Sequence, residues 1–277
     1  MYQPILGLKG SSDRVQIDDR LQYQPTVYEF YTAASDFTTD GYKRLYDAVQ
    51  YVQSRGISQI VLHHPMKFEN YHSDVVAPEK YYPGLYRFIE TTTEQLIRLG
   101  HDLNVQVLVH GGYSGAEVQH MVDLYSSVEA ARQAVYDRLD RFKDEGGSHI
   151  IFENSIAPVF AYGHPDQEDE IFAHHYRLAF DTSHCFIELH GDNAGLQRSL
   201  KHLAPDVVHY HLVDSLGQTH DSLQLGTGKI NWAKVLPLLN PAATSIYEIN
   251  LKDQNDCAEQ MASHRYLVNL YHQLKEE

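Results

Sequence analysis

Six short apolar runs of this sequence carry an imidazole or carboxylate side chain at or just after their ends. These groups are His63 and His64, His110, Glu153, Asp181 with His184, His211, and Glu248. A polar or ionised side chain that closes a buried apolar segment is costly unless it is paired or bound to a metal. One such residue would mean little, but six segments ending in this way predict a divalent-metal site.

The mixture of ligand types limits which metal ions the predicted site could bind. Neutral histidine supplies nitrogen, while aspartate and glutamate balance the charge of a cation and can bridge two ions. This set suits zinc, manganese, cobalt or iron(II) better than calcium. We therefore expect one to three divalent ions, with zinc, manganese, cobalt or magnesium as the candidates.

The secondary-structure elements that position these residues are predicted to alternate between strands and helices along the chain. Several of the apolar runs, such as Ile60-Val61-Leu62 and Val107-Leu108-Val109, are nearly continuous, as in parallel strands covered on both faces. The pattern predicts eight strands, at Pro4–Lys9, Thr26–Tyr31, Gln59–His63, Val105–His110, His149–Glu153, Leu178–Asp181, Val207–Leu212 and Thr244–Ile249. Between them, helical periodicity and capping residues predict helices at Gly41–Ser54, Leu85–Leu99, Val128–Glu145, Leu196–Leu203, Trp232–Leu239 and Cys257–Lys275.

Strands that alternate with helices predict a parallel sheet, which right-handed crossovers can close into a barrel. No linker or repeat divides the chain, so we expect residues 1–277 to form a single (β/α)8 barrel. An open, doubly wound sheet is the alternative. In a barrel, the carboxyl ends of all strands converge on one face, where such enzymes place their chemistry.

Composition excludes several classes of protein. The chain has 277 residues with 22 Lys and Arg against 37 Asp and Glu, a formal charge of −15. Such acidity argues against a large non-specific nucleic-acid surface, because phosphates must be neutralised by cationic side chains. No apolar run approaches the roughly 18–20 residues needed to cross a bilayer. Two cysteines, Cys185 and Cys257, provide no disulfide framework. We expect a cytoplasmic protein without a membrane partner.

The motifs resemble those of the xylose isomerase-like TIM-barrel superfamily, which includes sugar isomerases, ketose 3-epimerases, inosose-pathway enzymes and endonuclease IV. The motifs that carry the resemblance are Phe-Glu153-Asn154, Asp181-x-x-His184, His211-Leu-Val-Asp214 and Tyr-Glu248. Each is weak alone, but their order and spacing cover essentially the whole chain.

The resemblance implies specific roles. Glu153, Asp181, His211 and Glu248 would be the four ligands of one metal, and His184 would orient the substrate or bind a second ion. The two glutamates would be the acid/base pair on opposite sides of a bound sugar.

This arrangement has a physical rationale independent of the family. A metal that holds a carbonyl and an adjacent hydroxyl stabilises the ene-diolate that forms when a neighbouring carbon loses its proton. A carboxylate on each face can remove the proton from one side and return it on either side. The favoured function is therefore isomerisation or epimerisation of a small sugar or sugar phosphate.

A second function stays open. Histidines His64 and His110 resemble the additional ligands of endonuclease IV, whose trinuclear zinc cluster hydrolyses phosphodiesters at abasic DNA sites. The loop after the seventh strand departs from that family, because Ser222 stands where a histidine is expected. His220 and Asp221 are the substitutes available as additional metal or substrate ligands. A catalytically silent barrel that only binds sugar or metal is a third hypothesis.

Several local alternatives also stay open. Adjacent strand residues face opposite sides, so only one of His63 and His64 faces inward; alignment of Val-Leu-His-His-Pro with Val-Leu-Val-His-Gly favours His64. The pair Gly226 and Gly228 either binds a substrate phosphate or forms a tight turn. Residues Tyr162 to Glu170 are expected to form a solvated loop over the barrel mouth. The sequence leaves a homo-oligomer open.

Overall fold

The computed structural model, which describes residues 1–113, 115–156 and 159–276, contains eight parallel strands around a common axis. Adjacent strands pair in chain order, so each crossover returns beside the strand that it leaves. The protein is a single (β/α)8 TIM barrel. The barrel strands are β1 (Gly7–Gly10), β2 (Val27–Tyr31), β3 (Gln59–His63), β6 (Gln106–His110), β7 (Ile150–Glu153), β8 (Leu178–Asp181), β9 (Val207–His211) and β10 (Thr244–Ile246).

The first and last strands, β1 and β10, lie against each other, so that the sheet curves into a barrel. The Tyr2 hydroxyl donates to Ser245 Oγ at 2.7 Å, although the two residues are 243 positions apart. A β-carbon added at Gly7 would lie 1.8 Å from the Ser245 carbonyl oxygen. A glycine at this position is therefore required for β1 and β10 to approach so closely.

Helices cover the outside of the barrel. They are α1 (Arg14–Leu21), α2 (Thr39–Ser54), α3 (Pro83–Leu103), α4 (Ala116–Val122), α5 (Val128–Gly146), α6 (Pro165–Ala173), α7 (Thr182–Glu188), α8 (Asn193–Leu203), α9 (Trp232–Val235) and α10 (Ala258–Glu276). Helix α5 begins at the predicted Val128, where Ser127 accepts from the Ala130 amide, whereas α2 begins two residues before the predicted Gly41 and is capped by Thr38, which accepts from the Gly41 amide. Among the described residues, none of the helices has the length and apolar composition needed to span a membrane.

Two helix ends differ from the sequence prediction. Helix α3 continues through Gly100 and ends at Leu103, followed by the cap residue Asn104, whose φ of 53° is left-handed. Gly100 is needed inside the helix because an added β-carbon would lie 3.1 Å from the Val105 carbonyl oxygen. Helix α9 stops at Val235 and tightens into a 3-10 turn at Leu236–Leu238, since Pro237 has no amide hydrogen to continue an α-helix.

The segment predicted as a solvated loop, Tyr162 to Glu170, is mostly helical. Helix α6 begins at Pro165, and Tyr162 is fully buried with its hydroxyl donating to the Ala179 carbonyl. Glu168 is also buried and accepts from the Gly163 amide and His202. Instead, a short hairpin of β4 (Lys67–Phe68) and β5 (Tyr71–His72), which the sequence did not reveal, follows β3.

Buried Asp214 anchors the loop after β9. Its Oδ1 accepts from the Ile230 amide, while its Oδ2 accepts from the Gly226 amide and the Trp232 indole N–H. A carboxylate that receives several donors in this way holds distant parts of the loop together. A β-carbon at Gly228 would lie 2.2 Å from Asp214 Oδ1, so the turn requires glycine there.

A buried ion pair joins α3 to α5 and provides a first test of the fold. Glu90 Oε1 lies 2.8 Å from Arg138 Nη2, and Arg138 is 6% exposed. We expect Glu90→Gln to lower the free energy of unfolding by about 3 kcal/mol, because it leaves a buried guanidinium without its counter-ion. Asp47→Asn is the control, since Asp47 forms an exposed pair with Lys43 that should contribute under about 1 kcal/mol. Equal losses for the two variants in urea denaturation would contradict the prediction.

The loop after β9 provides a second test. Gly228→Ala should lower the free energy of unfolding by about 2 kcal/mol, because the new methyl group collides with the Asp214 carboxylate. Gly84→Ala is the matched control: its added β-carbon meets only Phe68 Cε1, at 3.8 Å. Thermal denaturation of both variants measures the difference. A Gly228→Ala protein as stable as wild type would refute a structural role for this glycine.

Candidate functional site

The interior of the barrel ends in a cluster of four side chains at its carboxyl end. One ligand atom from each of His63, Glu153, His211 and Glu248 lies within 4.8 Å of all the others. His63, Glu153 and His211 end β3, β7 and β9, and Glu248 follows β10 by two residues. Four separate elements thus bring two nitrogen and two oxygen ligands to one point.

Strand register explains this convergence. In the β6–β7 pair, His110 lies opposite Glu153, and in the β8–β9 pair, Asp181 lies opposite His211. A layer of apolar side chains fills the barrel interior two residues earlier on several strands: Val61, Leu108, Ile151 and Ala179. Because side chains alternate along a strand, the residues two positions later face the same interior.

The cluster contains unsatisfied polar atoms. Among the described residues, both carboxylate oxygens of Glu153, His211 Nδ1, Glu248 Oε2 and His63 Nε2 are buried without a hydrogen-bond partner. They nevertheless lie close together: His211 Nδ1 is 2.9 Å from Glu153 Oε1 and also contacts Glu248 Oε2. Buried polar groups are normally satisfied, so ligand atoms that converge in this way fit a divalent cation.

Electrostatics in the cluster are dominated by paired charges. Burial alone would raise the pKa of Glu153, but His110 and His211 outweigh it and hold this pKa well below its usual range. Lys9 and His211 have the same net effect on the pKa of Glu248. Burial would lower the pKa of His211, but Glu153, Glu29 and Glu248 raise it well above its usual range. Both glutamates are therefore ionised and ready to bind a cation.

Two residues of the first strands, which the sequence analysis did not select, extend the cluster. Glu29 on β2 is fully buried, and its Oε2 lies 3.0 Å from the Nε2 atoms of both His209 and His211. Lys9 on β1 lies 3.0 Å from Glu29 Oε1 and 2.5 Å from Glu248 Oε1. A charged residue inside the apolar run Val-Tyr-Glu29-Phe-Tyr was the signal available in the sequence.

A second histidine group adjoins the first. His110, Glu153 and His184 form another set whose ligand atoms lie close together. The Nδ1 of His184 is 2.9 Å from the Asn154 carbonyl oxygen, and its Nε2 is 2.9 Å from the Nε2 of His220. Because a carbonyl can only accept, Nδ1 donates and the Nε2 of neutral His184 is left as an acceptor. Burial, with His184 nearby, lowers the pKa of His220.

Asp181 lies beside the cluster and also caps a helix. Its Oδ1 accepts from the His184 amide at 2.7 Å and from the Ser183 hydroxyl at 2.8 Å, which starts α7. The nearest contact to a histidine ring is 3.9 Å, between Asp181 Oδ1 and His184 Nδ1. The structure thus brings Asp181 near the site with one of its oxygens already occupied.

The two adjacent histidines of β3 are reversed relative to the sequence preference. His64 Nε2 lies 2.7 Å from Thr92 Oγ1 of α3, and its ring packs against Phe88. His63 instead faces the interior, with its ring stacked on His211 and its Nε2 3.6 Å from Glu153 Oε2. His64 is therefore placed between the barrel and its helices, away from the cluster.

The remaining candidates lie in the loop after β9. His220 reaches the mouth, but Asp221 Oδ2 accepts from the Leu216 amide. The Gly226 amide is bound to Asp214, and Gly228 packs on the same carboxylate. The glycines thus form the turn, and the Gly226 amide already has a partner within the protein.

Two cavities open over the cluster. A cavity of about 490 Å³ is lined by polar residues that include Lys9, Tyr31, Asn250 and Gln254. A second, of about 240 Å³, has a largely aromatic and imidazole lining: His72, His110, Tyr113, His184 and His220. Both include Glu248, His220 and Met66. Among the tyrosines of the βα loops, Tyr113 lies in the wall, stacked on His110 with ring centroids 4.6 Å apart.

Comparison with known proteins agrees with this architecture. Similar solved structures include a D-tagatose 3-epimerase-like protein (16% identity, 98% of each chain, TM-score 0.71) and an L-ribulose 3-epimerase (15% identity, 99% of this chain and 95% of the other, TM-score 0.67). A Thermus thermophilus protein soaked with ZnCl2 is also similar (18% identity, 97% and 98% coverage, TM-score 0.66).

Comparison of sequences gives more direct evidence on the family of this chain. An uncharacterized protein of Methanocaldococcus jannaschii is 24% identical over 146 residues, which is 52% of this chain and 53% of that protein. The match thus spans about half the length of the curated relative. Residues 47–264 match the family described as xylose isomerase-like TIM barrel. This match covers most of the chain and its candidate site, and the protein belongs to the xylose isomerase-like TIM-barrel family.

Proposed function

We propose that the protein is a divalent-metal-dependent isomerase or epimerase of a small sugar or sugar phosphate. The observation that carries the proposal is the convergence of buried ligand atoms of Glu153, His211 and Glu248 beside a cavity that Glu248 lines. The similarity to sugar 3-epimerases supports it at the level of the fold.

The residues that would hold the ion are Glu153, His211 and Glu248, joined by His63 on geometric grounds and by Asp181 on the resemblance. Asp181 would use its second oxygen, since its first caps α7. When bound, a divalent ion would act as a Lewis acid toward the oxygens of a carbonyl substrate.

The two glutamates have different surroundings. The Glu248 side chain is 26% exposed and lines both cavities, whereas Glu153 is fully buried beneath His110 and His211. Glu248 is thus the group with direct access to a substrate carbon, and its low pKa keeps it in the basic form. Glu153 would serve as the second acid/base group from the opposite side, where His110 Nε2 lies 3.0 Å from its Oε2 and His211 Nδ1 lies 2.9 Å from its Oε1.

The cavities also suit a small polyhydroxy substrate. Hydroxyl and amide side chains of Tyr31, Thr32, Asn250 and Gln254 line the larger one, and such groups both donate and accept hydrogen bonds. His184 and His220 lie at the junction with the smaller cavity, where they would orient a substrate hydroxyl.

One observation favours a second function, an endonuclease IV-like phosphodiesterase acting at abasic DNA sites. The group of His110, Glu153 and His184, with His220 beside it, offers ligands for further ions. Clusters of ions suit phosphodiester hydrolysis, because one ion supplies hydroxide and others stabilise the leaving oxygen. Ser222 and the hydrogen-bonded Asp221 weigh against a third full site.

Substitution of Glu248 tests the proposed reaction. Glu248→Gln keeps the shape of the side chain but removes the base, so we expect the rate of ketose epimerisation to fall about 10²–10⁴-fold. The assay would follow a panel of free and phosphorylated ketoses with protein reloaded separately with zinc, manganese, cobalt or magnesium. Glu168→Gln is the matched control, a buried glutamate that binds His202 on the outside of the barrel. Abasic-site nicking that is lost in Glu248→Gln, with no sugar turnover by wild type, would refute the isomerase.

Metal content separates the two functions independently of activity. We expect one bound ion per chain after reloading and removal of excess metal, and chelation should abolish turnover. His184→Ala should leave that stoichiometry unchanged, because the ring lies in the adjoining group. Three ions per chain by elemental analysis, with loss of ions in His184→Ala, would instead support the phosphodiesterase.

A further inference from the structure

Four side chains beneath the cavities form a closed ring of contacts. Lys9 Nζ lies against Glu248 Oε1 at 2.5 Å, and Glu248 Oε2 contacts His211 Nδ1. The ring continues from His211 Nε2 to Glu29 Oε2 at 3.0 Å, and from Glu29 Oε1 back to Lys9 Nζ at 3.0 Å. Two of its members, Glu248 and His211, are proposed metal ligands, whereas Lys9 and Glu29 are not.

The contact between Glu29 and His211 decides which ring nitrogen is available. A carboxylate can only accept, so Nε2 of His211 must carry a hydrogen and donate to Glu29. Nδ1, which faces Glu153 and Glu248, is then the nitrogen that would bind a cation, once a bound cation has displaced its proton. Carboxylates that hold the second nitrogen of a histidine ligand fix its tautomer and ring orientation.

The contact between Lys9 and Glu248 has a parallel consequence. Glu248 extends from a loop position beyond β10, where the side chain is partly exposed. Lys9 holds its Oε1, which leaves Oε2 directed toward His211. Lys9 is itself 7% exposed and extends from a strand, so it provides a rigid support.

We propose that Lys9 and Glu29 are positioning residues that orient Glu248 and His211 for binding a divalent cation. This inference rests on the proposed function, because it takes Glu248 and His211 as ligands. It goes further in giving the first two strands of the barrel, which carry none of the predicted ligands, a role in the affinity of the site.

A purely structural role makes different predictions. Glu29 also binds His209, whose Nδ1 lies 2.7 Å from Thr244 Oγ1, so the ring could serve only to join β2 to β9 and β10. Loss of a structural contact would lower the stability of the metal-free protein without changing metal affinity. Metal affinity must therefore be measured separately from stability.

Substitution of Lys9 distinguishes positioning from simple electrostatics. Lys9→Met removes a positive charge beside a cation site, so Coulomb's law alone predicts tighter metal binding. Loss of orientation predicts weaker binding, and we expect the Kd for Zn²⁺ to rise about 10-fold. Glu29→Gln should also weaken binding, by about 10–100-fold, the usual effect of removing a group that orients a metal ligand.

The experiment is a Zn²⁺ titration of the metal-free full chain in competition with a chromophoric chelator. Two controls accompany it: Glu168→Gln, a buried glutamate far from the ring, and His209→Gln, which leaves the contact between Glu29 and His211 in place. Both should bind Zn²⁺ within about 3-fold of wild type, whatever their melting temperatures. NMR of ¹⁵N-histidine-labelled, Zn²⁺-loaded protein supplies a second readout, since the exchange-protected Nε2–H of His211 should disappear in Glu29→Gln.

The outcomes separate this inference from the proposed reaction. Weaker Zn²⁺ binding in Lys9→Met and Glu29→Gln supports positioning even when wild type epimerises no sugar, which would count only against the reaction. Unchanged or tighter binding in Lys9→Met overturns the inference while leaving the isomerase intact. If Glu29→Gln does not fold, Lys9→Met decides alone. A wild-type protein that binds none of Zn²⁺, Mn²⁺, Co²⁺ and Mg²⁺ overturns both.

Discussion

The candidate site depends on three carboxylates held close together in one barrel: Glu29 and Glu153, which are buried, and Glu248, which is partly exposed. Ionised carboxylates removed from water require compensating charge close by. Lys9 supplies one permanent positive charge between two of them, and imidazoles surround the third. Lys9 and protonated His211 together supply two positive charges against three carboxylates. A divalent cation beside Glu153 and Glu248 would complete the balance and at the same time satisfy the unpartnered oxygens.

Parallel topology makes this concentration of charge possible. In a closed barrel every strand ends at the same mouth, so a single polar residue per strand suffices to build a multidentate site. The apolar layer of Val61, Leu108, Ile151 and Ala179 lies directly beneath. It excludes water from below, which strengthens each interaction in the cluster. The opposite side opens to the cavities, so the proposed ion and substrate would reach the cluster from the mouth.

Most of the fold and much of the site could be predicted from sequence, since both depend on local patterns. Apolar runs located all eight barrel strands, and polar residues at their ends located Glu153, His211 and Glu248. The preference for His64 as the inward-facing histidine was wrong. It came from aligning the ends of two strands and did not take into account that side chains alternate along a strand. Val61 faces the interior, so His63, two residues later, faces it too. Lys9 and Glu29 were missed because their partners lie on strands about 180–240 residues away, a relation that only barrel closure creates.

Helix α6 was mispredicted for a different reason: its polar composition suggested a solvent-exposed loop. Residues 162–170 are rich in acidic side chains, yet Glu168 is buried because His202 and the Gly163 amide satisfy it. Composition measures average exposure, whereas burial depends on whether each polar atom finds a partner. The same principle separates Glu168 from Glu153. Both are buried glutamates near histidines, but the oxygens of Glu153 converge with other unpartnered acceptors. That difference in hydrogen bonding, rather than burial or charge alone, makes Glu153 a candidate ligand and Glu168 part of the framework.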